Sequence, residues 1–304
     1  MRHLNTLLDL STEQVLEILA SAKSLKAAWA AGKREPKLAG HVLVQLFEKP
    51  SLRTRVSFEV AMAHLGGSSC FLSAKDAGLD GREPEADIAQ VVGGYADVIV
   101  LRTFRQSLID TFVEHSGRPV VNGLSDDYHP CQALTDVMTA EEHFGNVAGR
   151  KLAYIGDGNN VAKSLALVCA HVGMDFTIAA PDGFQLPEEF LSDLKGKLPN
   201  ASVAQFTNPF DAVDGADVVY TDVWASMGQE AEKEQRAKAF EGFQVNEKLF
   251  GAAKSDAVFM HCLPARRGLE VSAEVMDNPR SVVFPQAENR MHLAKGLFAW
   301  LLEK

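Results

Sequence analysis

Thirteen residues, Phe47-Glu48-Lys49-Pro50-Ser51-Leu52-Arg53-Thr54-Arg55-Val56-Ser57-Phe58-Glu59, combine a turn, a helix start and two arginines, the parts needed to hold a phosphate. The apolar run from Val42 to Phe47 reads as a strand that Pro50 stops, and Ser51 is a strong N-cap for a helix carrying Val56, Phe58 and Val60. First-turn N–H groups of such a helix have no intrahelical acceptor, so an anion there meets free donors and the positive end of the helix dipole. Arg53 and Arg55 add planar forks for its remaining oxygens, with only Glu48 and Glu59 close in sequence to oppose them. The competing reading is an ordinary capped helix with exposed arginines.

Further polar clusters follow apolar runs. Arg102 ends the run Val98–Leu101, where it can meet a carbonyl or phosphate oxygen or be claimed by a structural partner. His129-Pro130-Cys131-Gln132 leads into a helix, whose dipole favours a neutral imidazole that still donates one N–H to a carbonyl. Gln132 offers an amide donor and acceptor to a carbamoyl-like group; a capping histidine beside a surface glutamine is the alternative. Gly156-Asp157-Gly158-Asn159-Asn160 has the look of a dinucleotide fingerprint, but Val161 occupies the third glycine position. Asn160 can instead contact a polar small molecule.

In Asp222-Val223-Trp224-Ala225-Ser226-Met227-Gly228, Asp222 can pair an ammonium, Ser226 can bond a carboxylate or amine, and Met227 can line an aliphatic stem. The glycine and the polar stretch behind it allow a lid. His261-Cys262-Leu263-Pro264 ends a buried run, where a lone cysteine is more often a small core residue than a reactive thiol. Arg290 stands at the expected start of a last helix, Asn289 to Leu302.

These residues need strands to present them. Strands are predicted at Val42–Phe47, Cys70–Ser73, Asp97–Leu101 and Pro119–Asn122, with helices near Thr12–Ala30, Ser51–Leu65, Pro84–Gly93 and Gln106–Ser116. A second set follows at Leu152–Ile155, Phe176–Ala180, Val203–Phe206, Asp217–Thr221, Ala257–Cys262 and Val282–Phe284, with helices near Val161–Val172 and Pro187–Leu194. A helix from Gln132 to about Phe144 joins the sets, and the charged run Glu230–Arg236 reads as a solvated surface. Such alternation implies an α/β protein of two domains, each with a mainly parallel sheet flanked by helices. Ligands of open parallel sheets gather at the carboxyl ends of strands, where most of these clusters fall.

At 304 residues the chain exceeds one typical domain. Its formal net charge of −10 argues against a nucleic-acid or anionic-membrane surface, so the arginine cluster is a local exception. Four cysteines, Cys70, Cys131, Cys169 and Cys262, lack metal-site or disulfide spacing, and Asp9 and Glu13 stand where a signal peptide would be apolar. A reducing cytoplasm is the expected location. No apolar run reaches membrane-spanning length.

Taken in order, Phe47–Glu59, His129–Gln132, Asp222–Gly228 and His261–Pro264 resemble the aspartate/ornithine carbamoyltransferase family along essentially the whole chain. The first two segments are shared by the wider family; the last two are the narrower signature and favour ornithine over aspartate, N-acetylornithine or putrescine. The resemblance implies that residues 1–132 bind carbamoyl phosphate, that 133–287 bind L-ornithine, that a helix at 288–304 packs back on the first domain, and that the active site lies in the cleft between the domains. It assigns Ser51, Leu52, Arg53, Thr54, Arg102, His129, Gln132 and Arg290 to carbamoyl phosphate, and Asn160, Asp222, Ser226 and Met227 to ornithine. Cys262 and Leu263 would touch both, and Arg102, His129 and Cys262 would act on the reacting atoms.

A homotrimer or a multiple of it is implied, with no metal or organic cofactor. Two departures stand out. The family usually has threonine where this chain has Leu52, and bacterial ornithine enzymes often have a glutamine from a neighbouring subunit where this chain has Gly78. A carbamoyltransferase for another amine is the alternative, and a nicotinamide-dependent dehydrogenase built on Gly156–Gly158 is the alternative from another reaction class.

Overall fold

The computed structural model of the protein describes residues 1–79, 81–224 and 233–303. They form two compact units, Met1–Met138 with Glu288–Lys304, and Thr139–Ala287. Among the described residues, no helix is long and apolar enough to cross a membrane.

The first unit runs α1 (Thr12–Ala30), β1 (Val42–Phe47), α2 (Leu52–His64), β2 (Ser68–Ser73), α3 (Glu85–Tyr95), β3 (Val98–Arg102), α4 (Gln106–His115), β4 (Val120–Leu124) and the first part of α5 (Pro130–Phe144). Ser11 and Gln14 form a reciprocal capping box that starts α1, as their spacing predicts. The four strands are parallel in the order β2-β1-β3-β4. Val44, Leu46, Ile99 and Leu101 project to one face, where Ile88, Val92, Leu108 and Phe112 of α3 and α4 cover them. The chain leaves β1 in one direction to β2 and in the other to β3, so the sheet has its switch point between β1 and β3, whose last residues Phe47 and Arg102 are paired.

The second unit continues with β5 (Lys151–Ile155), α6 (Asn160–Val172), β6 (Asp175–Ala179), α7 (Glu188–Lys197), β7 (Ser202–Phe206), α8 (Pro209–Val213), β8 (Val218–Thr221), α9 (Lys233–Ala239), α10 (Glu247–Phe250), β9 (Val258–His261) and α11 (Ala273–Met276). Its five strands are parallel in the order β7-β6-β5-β8-β9. The switch point lies between β5 and β8, and Ile155, Thr221 and His261 stand abreast at the carboxyl ends of three neighbouring strands.

The last helix, α12 (Val283–Leu302), corrects two expectations. Val282–Phe284 is not a strand: Ser281 makes a single bridge to Phe259 and the helix begins at once. Pro285 permits this, because its missing N–H falls in the first turn, where no intrahelical acceptor exists. Arg290 therefore sits two turns inside the helix and not at its start. Within the first unit, α12 lies so close to α1 that a Cβ on Gly296 would come within 2.4 Å of the Ala22 nitrogen. Phe298 packs on Phe58 of α2 with ring centroids 5.6 Å apart.

Candidate active site

In the first unit the phosphate-type cluster is built on three elements. Ser51 caps α2, accepting the Thr54 N–H at 3.3 Å, while its carbonyl accepts the Arg55 N–H. The Leu52 and Arg53 N–H groups keep no acceptor among the described residues. The fully buried Thr54 hydroxyl is a hub: Arg290 of α12 donates to it at 2.8 Å, Ser51 at 3.0 Å, and Arg102, at the end of β3, at 3.4 Å. Arg290 Nη1 donates to the Gln132 side-chain oxygen Oε1 at 3.0 Å, and the Gln132 Nε2 donates to Asp136 at 2.7 Å. Arg53 Nε is buried with no hydrogen-bond partner among the described residues.

His129 stands at the entrance to α5, its carbonyl accepting the Ala133 N–H. Burial first, then the Arg290, Arg102 and Arg53 guanidinium charges, hold its imidazole well below the ordinary histidine range. The helix dipole alone predicts a neutral His129; desolvation and three nearby arginines act in the same direction. Burial also pushes the neighbouring Cys131 thiol up to about 12, which makes it an inert core group.

Two residues of the opening segment turn away from this cluster. Arg55 pairs with Glu59 at 2.8 Å and lies over Phe71, so it offers no fork beside Arg53. Lys49 is buried, is paired with Asp126 and lies 4.2 Å from the Phe104 ring centroid. Asp126 is thus a neutralising partner distant in sequence. Leu52 is 77% exposed in the first turn of α2.

The second unit presents the other cluster where β5, β8 and β9 end. Asp222 follows β8 and accepts from the Cys262 thiol at 3.0 Å and from the Asn159 amide at 3.3 Å. The same Asn159 caps α6, its oxygen accepting the Val161 and Ala162 N–H groups and the Tyr154 hydroxyl. Asn160, the residue singled out from the sequence, is the first residue of that helix; Asn159 is what ties the helix start to Asp222. An N-cap position beside a strand end was the available signal.

Cys262 and Leu263 follow β9. His261 accepts the Leu263 N–H at 2.8 Å through Nδ1 while Nε2 meets buried Glu270 at 3.2 Å, and its own N–H donates to Gln286. These contacts hold Leu263 at φ 57, a conformation that side chains rarely adopt and that marks a shaped loop. Glu270 and Gln286 are supports that no sequence spacing announces.

The glycine pair before α6 packs against its own chain. Gly158 donates to the Phe184 carbonyl at 2.7 Å, and a Cβ there would stand 2.6 Å from the Gln185 backbone carbon. That close approach accounts for the glycine without a pyrophosphate. Arg236, read as part of a solvated run, is instead buried, pairing with Asp157 at 2.6 Å and donating to the Trp224 carbonyl. Ser226 and Met227 lie outside the described residues, as do Ala225 and Gly228 to Glu232.

Comparison with known proteins fits these two clusters. Residues 2–142 match the model of the aspartate/ornithine carbamoyltransferase carbamoyl-P binding domain, and residues 148–301 match that of the Asp/Orn binding domain. The chain belongs to the aspartate/ornithine carbamoyltransferase family. It is 48% identical over 305 residues to an ornithine carbamoyltransferase of Bacillus subtilis, covering 100% of this chain and 94% of the relative. Among solved structures, ornithine carbamoyltransferase from Pyrococcus furiosus superposes with a TM-score of 0.95 at 46% identity, covering 99% of this chain and 97% of the other. The anabolic enzyme from Campylobacter jejuni gives 0.93 at 36% identity, covering 99% of each.

Proposed function

We infer that the protein transfers the carbamoyl group of carbamoyl phosphate to the side-chain amine of L-ornithine, giving L-citrulline and phosphate. The observation that carries this reading is the Thr54 hub, where two guanidinium groups and the cap of α2 converge on one buried hydroxyl beside a neutral imidazole. Such a set suits a phosphate joined to a carbonyl. Arg53, Ser51 and the free N–H groups of Leu52 and Arg53 hold the phosphate oxygens. Arg102, His129 and Thr54 meet the carbonyl oxygen as it gains negative charge, and Gln132 with Arg290 orients the carbamoyl NH2.

Carbamoyl phosphate carries its own leaving group, so no covalent nucleophile is required. The neutral ornithine amine attacks the carbonyl carbon, the new C–N bond forms, the C–O bond to phosphate breaks, and the amine nitrogen gives up a proton. Asp222 pairs the α-ammonium and Asn160, Ser226 and Met227 line the rest of the amino acid, with Cys262 and Leu263 next to the reacting end. The chain assembles as a homotrimer or a multiple of it.

A colorimetric assay for ureido products, run with carbamoyl phosphate and ornithine, putrescine, N-acetylornithine or aspartate, tests the assignment. Citrulline from ornithine is the expected product; carbamoylation of another amine with ornithine left untouched would reassign the acceptor.

His129 gives the pH profile a definite form. Its folded pKa lies well below the ordinary value, so the ring is neutral throughout the working range and adds no limb above about pH 6. Turnover at saturating substrate is expected to climb from about pH 6 toward pH 8 as the ornithine side-chain amine, or Cys262, loses its proton. The same limb in Cys262→Ser assigns it to the substrate, and a flat profile would count against rate-limiting amine attack.

Leu52 supplies a backbone donor and no hydroxyl. Being 77% exposed, it props up no part of the loop within the chain, so Leu52→Thr adds an oxygen donor near the phosphate without opening a cavity. A hydrogen bond to a charged group is worth about 1.5–3 kcal/mol, or about 10- to 150-fold, and the existing donors reduce the gain. Calorimetric titration with carbamoyl phosphate or a phosphonate mimic is expected to show tighter binding by Leu52→Thr; weaker binding would sink the missing-hydroxyl account.

A further inference from the structure

A second concentration of positive charge lies in the first unit, away from the Thr54 hub. The ends of α1 and α2 meet the middle of α12 around a recess whose void, open mouth included, is about 330 Å3. Trp29, Lys33, Arg34, Glu35, His64 and Lys295 contribute its polar and aromatic lining. Trp29 and His64 are stacked with centroids 3.7 Å apart, and the Arg34 guanidinium carbon is 3.2 Å from the Trp29 centroid. Two groups that near one ring must occupy opposite faces, so arginine, indole and imidazole form a three-layer stack.

Lys295 is the unusual member. As a residue it is 2% exposed, its ammonium lines the recess, and it has no carboxylate or other hydrogen-bond acceptor among the described residues, only the Trp29 ring 4.9 Å away. Glu35, the one carboxylate in the lining, is exposed and pairs with none of the cations. Among the described residues, His64 Nδ1 is buried without a partner, as is Nδ1 of His292, one turn before Lys295 on α12. An ammonium partly desolvated at the wall of a recess and lacking a counter-charge is costly, and structures normally supply a partner for one.

Helix C-termini explain part of this arrangement. Arg34 donates to the Trp29 carbonyl at 2.8 Å, so it caps α1, and His64 closes α2. Lys295 caps neither helix. Burial first, then Arg34 and Lys26, bring its pKa down to about 8, and His292 is pushed to about 3 by burial and by Lys295, Lys26 and His64. Burial is the larger cause of both shifts and the neighbouring cations add to it; Glu288, 3.6 Å from His292 Nε2, is the carboxylate on that side, and none reaches Lys295 among the described residues.

We propose that this recess is an anion site distinct from the carbamoyl phosphate cluster, built to take a compact oxyanion, a phosphate or a small carboxylate, between Lys295, Arg34 and the Trp29–His64 stack. The bound oxyanion accepts from the Lys295 ammonium and from the free edges of Arg34, and its charge offsets the field on His64.

The test reads the site directly. The Trp29 indole N–H resonance of the whole protein, assigned by its loss in Trp29→Phe, is followed while inorganic phosphate or succinate replaces chloride at constant ionic strength. A saturable shift with either ion is expected, and whichever saturates identifies the source of the oxyanion. Arg53→Ala should retain the response, which separates this recess from phosphate at the Thr54 hub. Lys295→Met and the exposed Arg34→Gln should each weaken it about tenfold or more, as loss of a charge-assisted contact requires. If Lys295→Met fails to fold, Arg34→Gln decides the matter. A linear response to both ions, or an undiminished one in the folded variants, overturns the proposal.

Discussion

Arg53→Ala is expected to weaken carbamoyl phosphate binding by about 2–5 kcal/mol, about 30- to 5000-fold, while the protein remains folded. The two halves of that expectation come from the same geometry. Arg53 makes no hydrogen bond or ion pair with a described residue, and its Nε is buried without a partner. It therefore contributes little to holding the chain together, and its truncation leaves Ser51 capping α2 and Thr54 between Arg102 and Arg290. A guanidinium poised beside buried donors, in contrast, has its full charge-assisted bonding capacity available to the ligand. Removing three like charges' mutual repulsion in part should also raise the His129 pKa from its depressed position, since Arg53 is one of its causes. Titration calorimetry with a phosphonate mimic, alongside a thermal melt, checks both halves. Near-normal affinity in a folded Arg53→Ala protein would remove Arg53 from the site.

Much of this arrangement is legible in the sequence where a local rule carries the information. Ser51 before Leu52 and Ser11 before Gln14 mark helix starts because capping is decided within four residues. The strands β1 and β3 are apolar apart from Gln45 and the terminal Arg102, close to the continuous apolar run of a buried parallel strand, and the clusters fall at their carboxyl ends. What sequence spacing misses is set by partners brought from afar. Asp126 neutralises Lys49 across 77 positions, and Arg236 turns inward because Asp157, 79 positions away, awaits it. Arg55 alternates with Arg53 along the same turn, yet points to Glu59 and Phe71, since residues two apart on a helix face different directions. Val282–Phe284 misleads for a related reason: three apolar residues fit a strand or a buried helix start equally, and the choice falls to tertiary packing.

Asp222→Asn should raise the ornithine KM or lower turnover strongly, by about 10- to 150-fold in kcat/KM, and leave carbamoyl phosphate affinity largely unchanged. The estimate is the worth of a hydrogen bond to a charged group, about 1.5–3 kcal/mol, because the substitution keeps the shape and removes the charge an ammonium pairs with. The neighbours determine how the new amide must sit. Asn159 cannot turn its amide, since its oxygen already accepts the Val161 and Ala162 N–H groups that begin α6. The oxygen at position 222 must therefore continue to accept from the Asn159 NH2, which directs the new NH2 toward the Cys262 sulfur. There a thiol that donated to a carboxylate becomes a weak acceptor, so the local geometry survives while both its charge and the position of one proton change. Steady-state kinetics with each substrate varied in turn, paired with calorimetry for carbamoyl phosphate, distinguishes a loss confined to the amino acid from a general one. A variant that loses carbamoyl phosphate and keeps ornithine affinity would show that the β5–β8–β9 cluster serves the other ligand, and the division of substrates between the two units would have to be reversed.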